Sequence, residues 1–205
     1  MKNLLIFFTL ATILVLSSCA SGYKNIEPEK LTYSAISNKN GVTLAYKYGL
    51  LNNRYFRKEK KKHLKLVAVK ITNNSDKDLV FGENIKLAYE SGNELYVHDD
   101  VFLFKNLKQS PASHLFYLLL SPINFYTYKT DSYGQQVQNS STPIGLLLGP
   151  GIATGNIIVA SNANAKLKKE LVNYNMIGKP IKKGETVYGL VGFNSTSYDA
   201  LKLKE

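Results

Sequence analysis

Leu64-Lys65-Leu66-Val67-Ala68-Val69-Lys70-Ile71-Thr72, with the Asn73-Asn74-Ser75-Asp76-Lys77-Asp78 that follows, is the stretch on which the fold turns. In an extended chain Val67, Val69 and Ile71 share one face, and Leu66 and Ala68 make the other face apolar as well. A strand apolar on both sides needs cover on both sides, so this one is expected at the centre of a sheet. The Asn/Ser/Asp run after it has the side chains that hydrogen-bond their own backbone in turns. Upstream, Leu31–Ser37 and Val42–Tyr48 flank Asn38-Lys39-Asn40-Gly41, and Asn-Gly between two such runs predicts a hairpin. Downstream, Leu79–Phe81, Ile85–Tyr89, Leu95–His98 and Val101–Phe104 read as further short strands, and Thr186–Phe193 and Ala200–Leu203 as a closing pair. Short strands with regular turns predict a mainly β chain, an antiparallel sandwich.

Residues 110–176 break that pattern. Ser110–Tyr128 has no formal charge and includes Leu115-Phe116-Tyr117-Leu118-Leu119-Leu120, and Ser132–Ala165 is likewise uncharged. Ile157, Ala160, Asn164, Leu167, Leu171 and Tyr174 recur at helical spacing among Lys166, Lys168, Lys169 and Glu170, which predicts an amphipathic helix. Gly145, Gly149, Gly151 and Gly155 form two G-x-x-x-G spacings, which in helices bare the backbone for close contact with a neighbour. Pro143 and Pro150 interrupt the apolar run, and Gly149-Pro150-Gly151 reads as a turn. The expectation is two hydrophobic helical segments too short to span a bilayer, covered by the sandwich, a partner or a membrane.

Leu66–Ser75 resembles the strand and turn that begin the core of many exported Ig-like bacterial domains. Ile181–Phe193 resembles their closing strands. The layout is similar to uncharacterised Ig-like β-sandwich lipoproteins of diderm bacteria with an apolar helical insertion. This resemblance implies a fold over about half of the chain and transfers no activity.

The N-terminus supports an address. Lys2 followed by the apolar Leu4–Leu16 has the charge and length of a signal peptide, and Leu16-Ser17-Ser18-Cys19 looks like a lipobox. Residues 1–18 are expected to be removed, 19–30 to form a lipidated tether, and 31–205 to make one domain. Cys19 is the chain's one cysteine. Its thiol is the group that can carry diacylglycerol, and its freed amine a further acyl chain such as palmitate, which makes a stable anchor. Ala20, not aspartate, follows it, and no acidic run comes next. The expected address is therefore the outer membrane, the periplasmic face rather than the cell surface.

The formal charge of +11 points to an anionic neighbour. Export argues for anionic lipid or glycan and against nucleic acid. Arg54, Arg57, Lys58, Lys60, Lys61, Lys62 and Lys65 surround a single acid, Glu59, with Tyr55, Phe56 and His63 interleaved. Such a run suits contact with an anionic surface, and equally a solvated hairpin loop. The chain has no G-x-S-x-G, no phosphate-binding glycine loop and no H-E-x-x-H. His98-Asp99-Asp100 is the one local set of ligand-type groups, and it reads as a solvated strand end. No catalytic residue, cofactor or metal is expected. The function expected is a non-enzymatic interaction or structural module held on a membrane. A carrier of a lipid or other apolar ligand, and an envelope hydrolase, stay open as alternatives.

Overall fold

The Asn-Gly turn and the two-sided apolar run at 64–72 give a hairpin and a central strand where the sequence indicates them. The computed structural model describes residues 19–205. The signal-peptide assignment to 1–18 lies outside the described residues. Strand content is 33% and helix content 32%, so the chain is mixed α and β with antiparallel sheets, not mainly β.

Strands β1 (Ala35–Lys39), β2 (Val42–Lys47) and β3 (Leu64–Asn73) are followed by β4 (Leu79–Val80), β5 (Lys86–Tyr89) and β6 (Val97–His98). A hairpin of β7 (Phe125–Thr130) and β8 (Gln136–Thr142) comes next, then β9 (Pro180–Ile181), β10 (Thr186–Asn194) and β11 (Leu201–Lys204). The helices are α1 (Asn53–Lys61), α2 (Asp100–Leu107) and α3 (Gly145–Asn173), and Pro111–Leu120 forms a 3-10 segment. Five strands make one sheet in the order β1-β2-β3-β10-β6, and β11-β5, β4-β9 and β7-β8 form two-stranded pairs.

The β1–β2 turn places Asn40 at φ 51° and Gly41 at φ 78°, the left-handed pair that two-residue hairpins demand. β3 is central, with β2 on one edge and β10 on the other. On one face Val67, Val69 and Ile71 pack with Leu79, Phe81, Leu87, Ile181, Leu201 and Leu203. On the other face Leu64, Leu66 and Ala68 pack with Tyr55, Leu103, Leu107, Ala163, Leu167 and Leu171 from the three helices. The Asn73 side chain is fully buried and ties the following turn together: its amide donates to the Lys77 and Ile181 carbonyls at 2.9 and 3.0 Å and its oxygen accepts from Ser75.

Several expectations are corrected. Thr186–Phe193 and Ala200–Leu203 are not a pair, because β10 joins β3 and β6 while β11 joins β5. Val101–Phe104 is helical, since the Asp99 carboxylate accepts the Phe102 N–H at 2.6 Å and starts α2. The basic run is a helix, not a loop: Lys, Arg and Glu favour helix, and Tyr55 and Glu59, four apart, are both buried. Gly149-Pro150-Gly151 does not turn; it lies within the 29 residues of α3. Proline's fixed φ is helical, and the amide it removes would have bonded a carbonyl in the first turn. Of the residues before α3, Pro111–Leu120 is helical in the 3-10 form, whereas Phe125–Thr142 is a hairpin and not a helix. Tyr23 and Ile26 are buried, so the chain is held down well before residue 30.

The described chain divides into two compact units. One comprises Gln109–Asn162 with the N-terminal segment ending at Gly22; the other comprises Tyr23–Lys108 and Ala163–Glu205.

Candidate functional site

In the Gln109–Asn162 unit the apolar side chains outnumber the places to bury them. Lys129 and Asp131 are its only charged residues. Among the described residues Leu147 is 80% exposed, Leu119 75% and Phe116 72%, and Leu146, Ile158, Phe125, Tyr126, Tyr128 and Tyr133 are exposed as well. The β7–β8 hairpin is a two-stranded ribbon with nearly every residue open on both faces, an arrangement of marginal stability in water by itself. α3 is long and apolar enough to cross a membrane by length and composition, a test that core helices of soluble proteins also pass.

The four glycines of α3 divide into two pairs. A Cβ on Gly145 would stand 2.1 Å from the Leu120 carbonyl oxygen and 2.6 Å from that of Ser121. A Cβ on Gly149 would stand 2.7 Å from the Ser121 hydroxyl. These two let the helix pack backbone to backbone against the 117–123 segment, and Gly145 N–H donates to the Ile123 carbonyl at 2.8 Å. Gly151 and Gly155 have nothing within 4 Å. The first G-x-x-x-G is thus filled from within the chain, while the other borders open space.

Cys19 is exposed at the start of the described residues. The next residues are bonded down: Ala20 N–H donates to the Asn156 side chain, and Ser21 exchanges two hydrogen bonds with the Gln109 amide at 3.0 and 2.6 Å.

The six cations from Arg54 to Lys62 are all on or next to α1, but not together. Arg57, Lys60 and Lys61, spaced by three and four, share one side of the helix. Arg54, Lys58 and Lys62 run along another side, where Lys108 from α2 joins them. Burial and these neighbouring cations lower the Lys58 amine below the ordinary lysine pKa. Tyr55 turns into the core and takes no part in the surface.

No family model, curated protein or solved structure matches the chain.

Enzyme-type geometry is not gathered at the local histidine. His98 Nε2 meets the Asn194 side chain at 2.9 Å and its ring stacks on Phe102 at 3.9 Å, while Asp99 caps α2. Among the described residues no three His, Cys, Asp or Glu side chains converge as a metal site would need. Lys65, the last cation of the basic run, lines a cleft beside the Arg57 side of α1, together with Ser195 and Thr196, which sequence reasoning missed. Ser195 and Thr196 lie about 130 positions downstream with no pattern to connect them.

Proposed function

We propose that this chain is a lipid-anchored envelope lipoprotein, a non-enzymatic interaction module whose Gln109–Asn162 unit meets the lipid surface to which Cys19 is attached. The observation that carries this is the exposed apolar surface of that unit, with only Lys129 and Asp131 charged among its residues. Exposed apolar surface costs about 25 cal/mol per Å² in water, and contiguous patches of it mark sites that some other surface covers. Lipid is the cover most consistent with the rest of the unit. Tyrosines cluster on the hairpin (Tyr126, Tyr128 and Tyr133), and tyrosine favours the headgroup level, where one end of the ring is dry and the other wet.

The reading is contact with one leaflet, not a span. The open edges of the β7–β8 ribbon would leave backbone groups unpaired in hydrocarbon. α3 from Ala163 onward buries Leu167 and Leu171 in a protein core, leaving 145–162, about 27 Å of helix, for any other neighbour. The periplasmic leaflet of the outer membrane remains the proposed address, with anionic lipid, glycan or a further envelope protein as proposed partners. We also infer that the strands on either side of the Val67–Ile71 face form an Ig-like sandwich. An experimental structure in which β4, β5, β9 and β11 make no second layer would overturn that fold.

Two experiments test the function. Metabolic labelling with a clickable fatty acid should mark the wild-type chain and not Cys19→Ala; label on the variant refutes the anchor. A chain beginning at Ser21 should bind liposomes, and changing Leu118, Leu147 and Ile158 to serine should release it while the melting temperature holds. Equal binding by both chains refutes the lipid-facing surface, and loss of folding in the triple variant shows those side chains to be core.

A further inference from the structure

The helix that the basic run forms ends at a built cleft. Ser195 N–H donates to the His63 carbonyl at 2.8 Å, so the exit of β10 is fastened to the turn between α1 and β3. That turn is sharp, with His63 at φ 50°. The cleft is open to solvent, has a volume of about 590 Å³ and is lined by Arg57, Lys60, Lys61, His63, Lys65, Ser195 and Thr196. No carboxylate lines it. Glu59, the one acid of α1, faces inward at 2% exposed and accepts the Leu66 N–H at 2.8 Å. Lys65 is 7% exposed, with its ammonium 3.5 Å from the centre of the Tyr198 ring. Among the described residues Arg57, Lys60 and Lys61 form no ion pair.

Cations held together without counter-charge repel one another, and the three lysines in the last turn of α1 do more than offset the helix dipole's negative end there. If these lysines served only to keep the sheet edge solvated, a concave arrangement with two hydroxyl residues would be unnecessary. The geometry points to a binding site for a phosphate-bearing ligand in the cleft formed by Arg57, Lys60, Lys61, His63, Lys65, Ser195 and Thr196. Arg57 offers the planar fork that grips two phosphate oxygens, Lys60 and Lys61 act as point charges, and Thr196 supplies a hydroxyl donor, while the Ser195 hydroxyl shapes the rim by accepting the Ser197 N–H and donating to the Ser197 carbonyl. The volume exceeds that of the phosphate alone, so the group it is attached to has room. A phospholipid headgroup and a soluble phosphate ester both present this chemistry. The site is independent of whether residues 109–162 meet lipid.

The full lipidated chain, in a sugar detergent that carries no phosphate, is titrated calorimetrically with inorganic phosphate, with glycerol 1-phosphate and with short-chain phosphatidylglycerol. Two charge-matched double variants are compared. Arg57→Gln with Lys61→Gln should weaken binding at least tenfold, whereas Lys58→Gln with Lys62→Gln, on the other side of the same helix, should weaken it less than threefold. Thr196→Ala should weaken it a few-fold with an unchanged melting temperature. Saturation by all three probes identifies the phosphate itself as the recognised group, and saturation by phosphatidylglycerol alone identifies the lipid headgroup. Equal losses from the two double variants reduce the effect to a diffuse positive field and overturn the site. Failure of every probe to bind overturns it too.

Discussion

α3 is one helix with two different surroundings. From Ala163 to Asn173 its apolar side chains are inside: Leu167 is 0% exposed and Leu171 2%. From Gly145 to Asn162 they are mostly outside, with Leu146, Leu147, Leu148, Ile158 and Val159 exposed. The charges run the opposite way. Lys166, Lys168, Lys169 and Glu170 ride beside the buried stripe, and no charge accompanies the exposed one. A helix whose outer face meets water usually carries charge there; the first half of α3 carries none, which is what the proposed lipid contact would account for.

The comparison can be broken most severely at the core. Val69→Asp puts an unpaired charge on a fully buried face, at a cost of several kcal/mol, comparable to a whole domain's stability. Leu147→Asp should leave the denaturation midpoint unchanged and weaken liposome binding instead. If the two variants unfold alike, the exposed half of α3 is core after all. Next in size, Leu167→Ala should cost about 2–5 kcal/mol by denaturant titration, against about 0.5 kcal/mol or less for Leu147→Ala.

The glycines sharpen the contrast within the exposed half. Gly145→Ala drives a methyl into the Leu120 and Ser121 carbonyls and should cost about 1–3 kcal/mol, read as faster amide exchange over 117–123. Gly155→Ala meets open space and should stabilise the helix by about 0.5–1 kcal/mol. Asp99→Ala removes the α2 cap and should cost about 1 kcal/mol; a neutral result would return Asp99 to the solvated strand end first expected of it.

The smallest effect is a pH slope. Burial raises the Glu59 carboxyl above the ordinary carboxylate pKa, against the Leu66 N–H and Lys65, which lower it. The folded chain therefore holds this proton more tightly than the unfolded one, and this residue's contribution to stability falls as pH rises from the ordinary carboxylate pKa through the raised one. Glu59→Gln should flatten that part of the stability profile. An unchanged slope would place the pH dependence elsewhere, with Glu170, whose carboxyl burial also raises, as the next candidate.

Where sequence reading succeeded, one local signal was sufficient. The two-sided apolar run of β3, the left-handed Asn40-Gly41 pair and the Ala160–Asn164–Leu167–Leu171 spacing each specify their own surroundings. The failures came where distant residues decide. Phe125–Thr142 has neither strand alternation nor helical period strong enough to separate a ribbon from a helix. Val101–Phe104 has strand-like composition, and one carboxylate placed before it turns it into a helix. The cations of α1 and Lys65 were visible as a cluster, but Ser195 and Thr196 join them only through the antiparallel return of β10.

That return also governs when the protein can take shape. Thr72 and Thr186 face one another with their hydroxyls 2.9 Å apart although 114 positions separate them in the chain. While the polypeptide is being made, β3 can acquire β2 at once, but its second edge stays open until β10 has been added. Closing so large a loop is slow, and during the wait an unpaired hydrophobic edge and the uncharged stretch ahead of α3 coexist in one nascent chain. Co-translational assembly of the sheet is thereby postponed until β10 emerges, and a truncation before β10 should yield a chain that needs a chaperone to stay in solution.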